Sequence, residues 1–395
     1  MKVQKYQNPS LRFSGFTEPW ELKPMSQILK LEIRPIKMKD ASVYSLITVK
    51  RGNRGVVSRG EYEGRKVLVK SQFEVRTGDF VISKRQIVHQ ACGIVPSSLN
   101  GSIVSNEYNV FGPTEECDLQ YFDYFTFRPQ MRHAFFLSCV GVHLEKMLFK
   151  TNDWLKRKFY FPTLPEQKKI ADFLTSVDDR IGQLIKKKAL LEDYKKGVMQ
   201  QLFSQQIRFK DDNGNDFPDW EEKKLGELAT CLDNLRRPVN ATEREKMKGD
   251  IPYYGANGIQ GYVNDFIFDE DLTLLAEDGG NFDEFSNRPI AQRVTGKAWV
   301  NNHAHILRAK PLNITPAFLF HSLVHKDIRK YINGSSRAKL NKGDMLTIAM
   351  IVPNVPEQKK IADFLSAIDQ KIERVSQQIT KTQTFKKGLL QQMFV

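Results

Sequence analysis

Ten consecutive residues, Pro-Glu-Gln-Lys-Lys-Ile-Ala-Asp-Phe-Leu, stand at Pro165–Leu174 and again, 191 positions on, at Pro356–Leu365. A chain that repeats such a stretch has to build the same local structure twice, and everything between must fit around that duplication. The likeness continues. Tyr194-Lys195-Lys196-Gly197-Val198-Met199-Gln200-Gln201-Leu202-Phe203 answers Phe385-Lys386-Lys387-Gly388-Leu389-Leu390-Gln391-Gln392-Met393-Phe394. The lead-ins also match: Arg12-Phe13 followed by Pro19-Trp20, and Arg208-Phe209 followed by Phe217-Pro218-Asp219-Trp220.

Each copy reads as a helix. Thr163-Leu164-Pro165-Glu166 and Asn354-Val355-Pro356-Glu357 set an N-capping side chain, a first-turn proline and a glutamate three residues after the cap. That is capping-box chemistry, which satisfies amides that would otherwise be orphaned. Apolar residues then recur at four-three spacing, as Ile170, Leu174, Val177, Ile181 and Leu184 in the first copy and Ile361, Leu365, Ile368, Ile372 and Val375 in the second. Two seams of equal period predict a two-stranded coiled coil, and the short heptad count favours pairing within the chain. A continuous helix from Glu166 to Phe203 would be roughly 57 Å long at ~1.5 Å per residue. Lys188, Lys195 and Lys386 fall on seam positions. Lysines there either snorkel and fix the register or mark where the helix turns to solvent, and both readings stay open.

At 395 residues the chain has room for two domains with cores of their own. The net charge of +14 points to a polyanion partner, nucleic acid above all. It is unevenly spread: residues 1–163 carry 25 Lys+Arg against 15 Asp+Glu, whereas residues 208–354 carry 20 against 21. A second half that binds the same polyanion must segregate its charges, and an acidic 265–284 followed by a mostly basic 288–342 permits this. The N-terminus lacks a signal-peptide core and no run of about 18 apolar residues occurs, so a cytoplasmic protein without a membrane span is expected. Cys92, Cys117, Cys139 and Cys231 have no Cys-x-x-Cys spacing and read as reduced packing residues.

The expected domains are 1–163, globular; 164–207, helix and connector; 208–354, globular; and 355–395, helix. In the first globular segment Val43–Val49, Val67–Val69, Phe80–Ser83, Ile87–Val88 and Ile103–Val104 read as strands, and Tyr121–Leu137 as a helix. In the second, Tyr262–Phe268, Leu272–Ala276, Ala298–Val300 and Ala304–Ala309 read as strands, before a helix over Pro316–Tyr331. Strands followed by a helix in both segments predict an α+β fold with a curled sheet. Between lead-in and exit the segments share almost no residues, so one scaffold carries two unlike surfaces.

Catalytic motifs are not found. Ala291 stands where a P-loop ending at Gly296-Lys297 needs its first glycine, and neither a dinucleotide-type glycine turn nor an Asn-Pro-Pro-Tyr-like base-gripping element occurs. Pro218-Asp219 with Glu222-Lys223-Lys224 is too compact for a nuclease carboxylate–lysine motif. His303 and His305 alternate as on a strand, which is weak evidence for a metal, and none is expected. The chain is therefore not expected to be an enzyme.

Together these features resemble the specificity (S) subunit of type I restriction–modification systems. The resemblance covers nearly the whole chain. It rests on the duplicated helix motif, the Phe…Trp lead-ins, Ile251-Pro252-Tyr253-Tyr254-Gly255-Ala256-Asn257-Gly258-Ile259-Gln260-Gly261-Tyr262, and Gly78-Asp79-Phe80-Val81-Ile82-Ser83. It implies two target-recognition domains joined by two long antiparallel coiled-coil helices in an internal pseudo-two-fold repeat. Each domain would read one half of an asymmetric bipartite site in double-stranded DNA. The helix pair would set the gap and dock two methyltransferase (M) subunits, with motor endonuclease (R) subunits joining through the complex. S-adenosylmethionine, ATP and Mg would belong to those partners, and no cofactor to this chain.

A rigid spacer between two readers fixes half-site separation, and base edges are read by Arg, Lys, Asn, Gln and Ser on loops. In the second domain the candidate loop is Gly334–Lys342, with Ser335, Ser336, Arg337, Lys339, Asn341 and Lys342. Tyr253, Tyr254, Asn257 and Gln260 add a glycine-punctuated loop. In the first domain the positional counterpart is Gly141–Lys146, where Lys146 answers Lys339 but Ser-Ser-Arg is missing. Lys50, Arg51 and Arg54, and Lys84, Arg85, Gln86 and His89, complete the candidates. Two other classes compete with this reading. A coiled-coil adaptor without sequence-specific DNA binding would lack salt-sensitive duplex affinity. The detached recognition part of a single-chain restriction–methylation enzyme would transfer methyl groups itself, and the duplication running through Phe394 argues against it.

Overall fold

The structure is a computed structural model and describes residues 6–334 and 338–395. The chain forms two compact units. The first runs to Ile185 and takes in Gln377–Val395; the second is Lys186–Ser376. The helices Leu164–Phe203 and Val355–Gln392 are each continuous and contribute one half to either unit. They are antiparallel, since Asp178 faces Lys386 and, further along the first helix, Lys195 faces Asp369. None of the described helices is long and apolar enough to cross a membrane.

The duplicated Pro-Glu-Gln explains why each helix is fused to its globular body. The glutamates do not reach back to cap their own helices. Arg12 holds both carboxylate oxygens of Glu166 at 2.7 Å and also donates to the Glu18 carbonyl. Arg208 holds Glu357 at 3.1 and 2.7 Å and donates to the carbonyls of Phe217 and Pro218. Each lead-in is thus tied to the first turn of its helix by a fork that matches a carboxylate. The cap itself is visible in the second copy, where the Glu357 amide donates to Asn354 Oδ1 at 3.0 Å. The neighbouring glutamines are buried and do a second job. Gln167 accepts from the Asp118 amide and donates to the carbonyls of Glu116 and Pro162; Gln358 accepts from the Thr315 amide and donates to those of Asn313 and Pro353. Asp118 and Thr315 cap the short helices Leu119–Phe125 and Pro316–Leu323. The repeat therefore preserves a clamp between long helix, short helix and lead-in.

In the first unit the strand Trp20–Pro24 pairs antiparallel with Lys158–Phe161, and in the second Glu221–Lys224 pairs with Ala349–Val352. Lead-in and exit strands are partners, which is why both recur. Beyond them the first unit has a five-stranded sheet in the order Pro35–Ile36, Gln72–Glu74, Ile103–Ser105, Val43–Val49, Val56–Glu63. A four-stranded sheet follows, Leu29–Leu31, Tyr108–Pro113, Phe80–Ser83, Cys92–Ile94. Ile47, Val49, Val81, Val95, Val104 and Val110 fill the core from these strands and their connections. The second unit has two four-stranded sheets, one ordered Ala229–Cys231, Ala304–Ala309, Leu272–Ala276, Ala291–Val294 and the other Gly258–Val263, Ile251–Gly255, Lys297–Val300, Phe268–Asp269.

Several elements depart from the sequence reading. Tyr121–Leu137 is two helices, Leu119–Phe125 and Pro129–Leu137. Pro129 forces Arg128 into extended backbone and starts a new helix at its own position. The helix from Pro316 stops at Leu323, and a 3-10 turn follows at Arg329–Tyr331. There Asp327 takes the Arg329 amide at 3.1 Å, a local bond that competes with helical pairing. Val67–Val69 forms no strand; it follows a 3-10 turn at Gly64–Lys66, and Leu68 is 94% exposed. Ile87–Val88 lies in a 3-10 turn closed by Gln90 at φ 57°. The expected strand Tyr262–Phe268 ends at Val263, and Phe268–Asp269 belongs to a separate one.

Of the seam residues, Ile170, Leu174, Val177, Leu184, Ile361, Leu365, Ile368 and Val375 are buried, and Ile181 and Ile372 half-buried. Most pack with the globular bodies as well as with the facing helix. Ile170, Leu174 and Val177 share a core with Trp20, Tyr121 and Phe161, and Ile361, Leu365 and Ile368 share one with Phe318 and Met350.

Candidate nucleic-acid interface

In the first unit the structure brings three sequence-distant segments together. The Gly52 amide donates to the His89 carbonyl at 2.7 Å and the Phe149 amide to the Lys84 carbonyl at 3.0 Å. Glu145, on the loop 141–147, lies 2.9 Å from Arg51 and 3.0 Å from His89 Nε2. Lys50, Arg51, Arg54, Lys84, Arg85, Gln86, His89 and Lys146 thereby form one patch. Arg85 is held by Glu107 at 2.7 Å and Arg51 by Glu145, so two of the patch's three guanidiniums are already paired. Among the described residues Lys50, Arg54, Lys84 and Lys146 have no carboxylate within ion-pair distance, which leaves four cations in one neighbourhood. Gln86 is half-buried, with its side-chain oxygen unpartnered. Val142, at the tip of the loop, is 96% exposed beside these charges.

In the second unit the hairpin turn between Gly255 and Gly258 meets the strand end after Ala276. Asn257 donates to the Gly279 carbonyl at 2.7 Å, Asp278 bridges to Lys339, and the Lys339 ammonium is 3.1 Å from Glu277. Gln260 accepts from Asn301 at 3.2 Å, and His303 meets Asp278 at 2.7 Å. Asn257, Gln260, Lys339, Asn341 and Lys342 are exposed, and Asn341 leads a short helix, Lys342–Leu346. Ser335, Ser336 and Arg337 lie outside the described residues. Tyr253 is a core residue, not a surface one: it is 2% exposed, its hydroxyl meets the Val239 backbone, and Arg244 covers its ring at 4.9 Å. Tyr254 is half-buried against the core that includes Phe268 and Val300. Strand alternation turns Tyr253 inward while Asn257 and Gln260 sit at and beyond the turn.

Asn301 and His303 belong to this site and were not singled out as DNA contacts. The signal was the polar run Asn301-Asn302-His303 just before a buried strand.

Beneath the patch, His305 is buried between Asp233 Oδ2 at 2.6 Å and the Leu340 carbonyl at 2.8 Å. Both ring nitrogens face acceptors, so both must carry protons. Burial pushes this imidazole down, and its bonds to Asp233, Cys231 and Leu340 outweigh that and hold its pKa at about 9. Cys231, Asp233 and His305 place donor atoms within 4.8 Å of one another. A doubly protonated ring has no lone pair for a cation, and the set fits a buried salt bridge better than a metal centre. Arg236 bonds to Glu277 next to it, and the Leu340 amide donates to the Glu277 carbonyl at 2.7 Å. The strand Lys339–Leu340, at the end of the candidate loop, is thus fastened to a buried ionic network.

Each of the two bodies carries its own polar patch, and the comparisons with known proteins match the two-fold repeat of the chain. The type I restriction modification DNA specificity domain family matches residues 18–192 and 218–382, once per repeat. The chain belongs to this family. A protein of Haemophilus influenzae named as a type I restriction enzyme specificity subunit is 36% identical over 148 residues, 38% of this chain and 37% of that relative. The alignment thus spans less than two fifths of the length of that relative. The S subunit of the type I restriction–modification system of M. genitalium superposes with a TM-score of 0.64 at 15% identity, over 98% of this chain and 99% of that one. A second structure, from work on complex assembly and conformational transition of the type I R-M system, gives 0.56 at 14% identity over 95% and 96%. At such identities the structural likeness is one of fold: α+β, with an internal repeat and two long helices.

Proposed function

We propose that this chain is the sequence-specific DNA-recognition subunit of a type I restriction–modification complex and is not itself catalytic. Each globular body reads one half of an asymmetric bipartite site in double-stranded DNA, and the helix pair sets the gap and docks two methyltransferase subunits. Methyl transfer with S-adenosylmethionine, and translocation and cleavage with ATP and Mg, belong to the methyltransferase and motor endonuclease partners. The observation that carries the reading is the convergence in each unit of loops far apart in sequence onto one patch. Unpaired lysines in the first patch supply phosphate affinity, and the amides of Asn257, Gln260 and Asn301 in the second supply base-edge donors and acceptors. The near-neutral second body relies on its partner body and on local segregation for affinity.

Methylation mapping across a genome, in cells carrying this chain and its methyltransferase, tests the proposal. The expected result is one split, asymmetric motif with a fixed gap. Exchanging residues 217–354 for those of another specificity subunit should change one half of that motif and leave the other intact. A short continuous motif, or a change in both halves, overturns the two-reader reading. No methylation with an active partner present favours an adaptor.

A further inference from the structure

Both units place a two-stranded hairpin and a short helix ahead of the closing strand. In the first unit the hairpin pairs Cys139–Val140 with Leu148–Phe149, in the second Ile332–Asn333 with Lys339–Leu340. In each, a glycine with positive φ follows the first strand directly, Gly141 at 152° and Gly334 at 90°. The residues after those glycines differ in kind. The second unit has Ser335-Ser336-Arg337 in its sequence, three hydrogen-bonding side chains, where the first has Val142-His143-Leu144. One position of the repeat thus carries polar chemistry in one copy and largely apolar chemistry in the other.

The apolar loop is exposed, and it is held in place. Val142 is 96% exposed, Val140 60% and Leu144 47%. Single apolar residues are ordinary on a surface, but a run of them at every second position on one loop marks a contact that folding does not use. A Cβ on Gly141 would stand 3.0 Å from the Met147 Cα, so the two ends of the loop touch and glycine is required there. The Lys146 amide donates to the His143 carbonyl at 2.8 Å, which closes a turn inside the loop. Glu145, 2.9 Å from Arg51 and 3.0 Å from His89, fastens it to the cationic patch.

Cations surround this tip. Lys146 stands on the same loop, and the Lys84 carbonyl takes the Phe149 amide at the foot of the hairpin at 3.0 Å. Among the described residues neither lysine has a carboxylate within ion-pair distance. Apolar side chains set among free cations fit a surface that is apolar between anions. In the major groove of a DNA duplex the apolar group on the base edges is the C5 methyl of thymine, which lies between the two phosphate backbones. The minor groove offers no such group, and apolar residues enter it as wedges between base pairs, commonly Phe, Leu, Ile or Met. Val142 is short, branched at Cβ and stiff, which suits contact with a methyl group rather than insertion.

We propose that Val142, flanked by Leu144, is a specificity-determining residue of the first body that packs on the C5 methyl of a thymine in its half-site, with Lys84 and Lys146 on the adjacent phosphates. This contact rests on the recognition reading above and adds which base the loop selects and by what chemistry. Its test uses the full chain with its methyltransferase and duplexes carrying the mapped motif. Thymines in the half-site read by the first body are replaced by uracil one at a time, which keeps the base pair and removes only the methyl. One such replacement should weaken wild-type binding by about fourfold, the worth of one buried methyl-sized group. Val142→Ala should weaken binding to the all-thymine duplex by a similar factor and abolish the penalty of that uracil. Uracil penalties in the other half-site, and the slope of affinity against salt, should stay as they were. A full uracil penalty in Val142→Ala, or none in the wild type, overturns the proposal. So does a rise in fluorescence from an adenine analogue beside that thymine that Val142→Ala removes, since Val142 would then be a wedge. Loss of methyltransferase uptake by Val142→Ala, with duplex affinity of the chain unchanged, would give the loop to the partner and overturn it too. A wild-type complex that binds all duplexes alike would instead overturn the recognition reading itself.

Discussion

Lys386 Nζ lies 2.7 Å from both carboxylate oxygens of Asp178, and the repeat-related Lys195 lies 2.6 Å from Asp369. Both lysines stand on seam positions where heptads call for apolar residues. Lys386 also sits over the rings of Tyr124 and Phe127 at 5.1 and 5.5 Å, and Tyr124 donates to Asp178 at 2.8 Å. Within each unit, a shift of one helix segment against the other would break that unit's pair, so the seam lysines are expected to help set the register. A double-mutant cycle on Asp178→Ala and Lys386→Ala, followed by urea unfolding, should return a coupling of about 0.5–1 kcal/mol, since Asp178 is 39% exposed and partly screened. Zero coupling would leave the register to the apolar residues alone.

The arginine–glutamate forks carry more. The Glu166 and Glu357 side chains are 1% and 0% exposed. Arg208→Ala would leave the Glu357 carboxylate buried with Trp220 Nε1 still donating to it but without its arginine counter-charge. Stranding such a charge typically costs about 3–5 kcal/mol. Arg208→Ala should therefore lower the unfolding midpoint of the second unit, and adding Glu357→Gln should recover part of the loss. Limited proteolysis shows whether the second unit opens first, and opening of both units at once would place the fork's effect elsewhere.

His305 gives the second unit a pH dependence with a definite sign. Its folded-state pKa, about 9, lies above the ordinary 6.5. The folded state keeps a proton that the unfolded chain releases near 6.5, so this stabilisation is whole below about pH 6.5 and fades as pH rises towards 9. Chemical denaturation across that window should show stability falling, and His305→Gln should flatten the slope. Because the ring also holds the Leu340 carbonyl, duplex affinity should fall over the same range. An unchanged slope in His305→Gln would assign it to another group.

The repeat, the helices and the two-body organisation were legible because periodicity and identity are local signals. The role of the repeated Glu was not. Thr163 to Glu166 has the spacing of a capping box, and only the fold brings Arg12, 154 residues away in sequence, onto that carboxylate. Site residues divide in the same manner. Loop chemistry pointed to Lys50–Arg54 and Lys84–His89 separately, but their union through Glu145 depends on tertiary packing. Tyr253 was misplaced because a Gly-Ala-Asn-Gly turn two residues on made its strand look like loop. Pro129 was a visible helix stop inside a run whose apolar content suggested continuity.

The two patches should answer to substitution in different ways. Among the described residues Lys84 and Lys146 have no carboxylate partner, and if they sit on phosphates their loss removes affinity without regard to sequence. Lys84→Ala and Lys146→Ala should each weaken binding on any duplex and reduce the slope of log affinity against log salt by about 1. Asn257 and Gln260 are exposed amides at and just beyond a hairpin turn, and at base edges each is expected to contribute about 1–3 kcal/mol of discrimination. Asn257→Ala and Gln260→Ala should leave the salt slope unchanged and relax the sequence requirement in the half-site read by the second body. Tyr253→Phe should change neither, since its hydroxyl is engaged with the Val239 backbone. Binding to duplexes randomised in one half at a time, at two salt concentrations, separates these effects. If the lysine variants altered the preferred sequence, or the amide variants altered the salt slope, the division of labour between charge and amide would be the reverse of the one proposed.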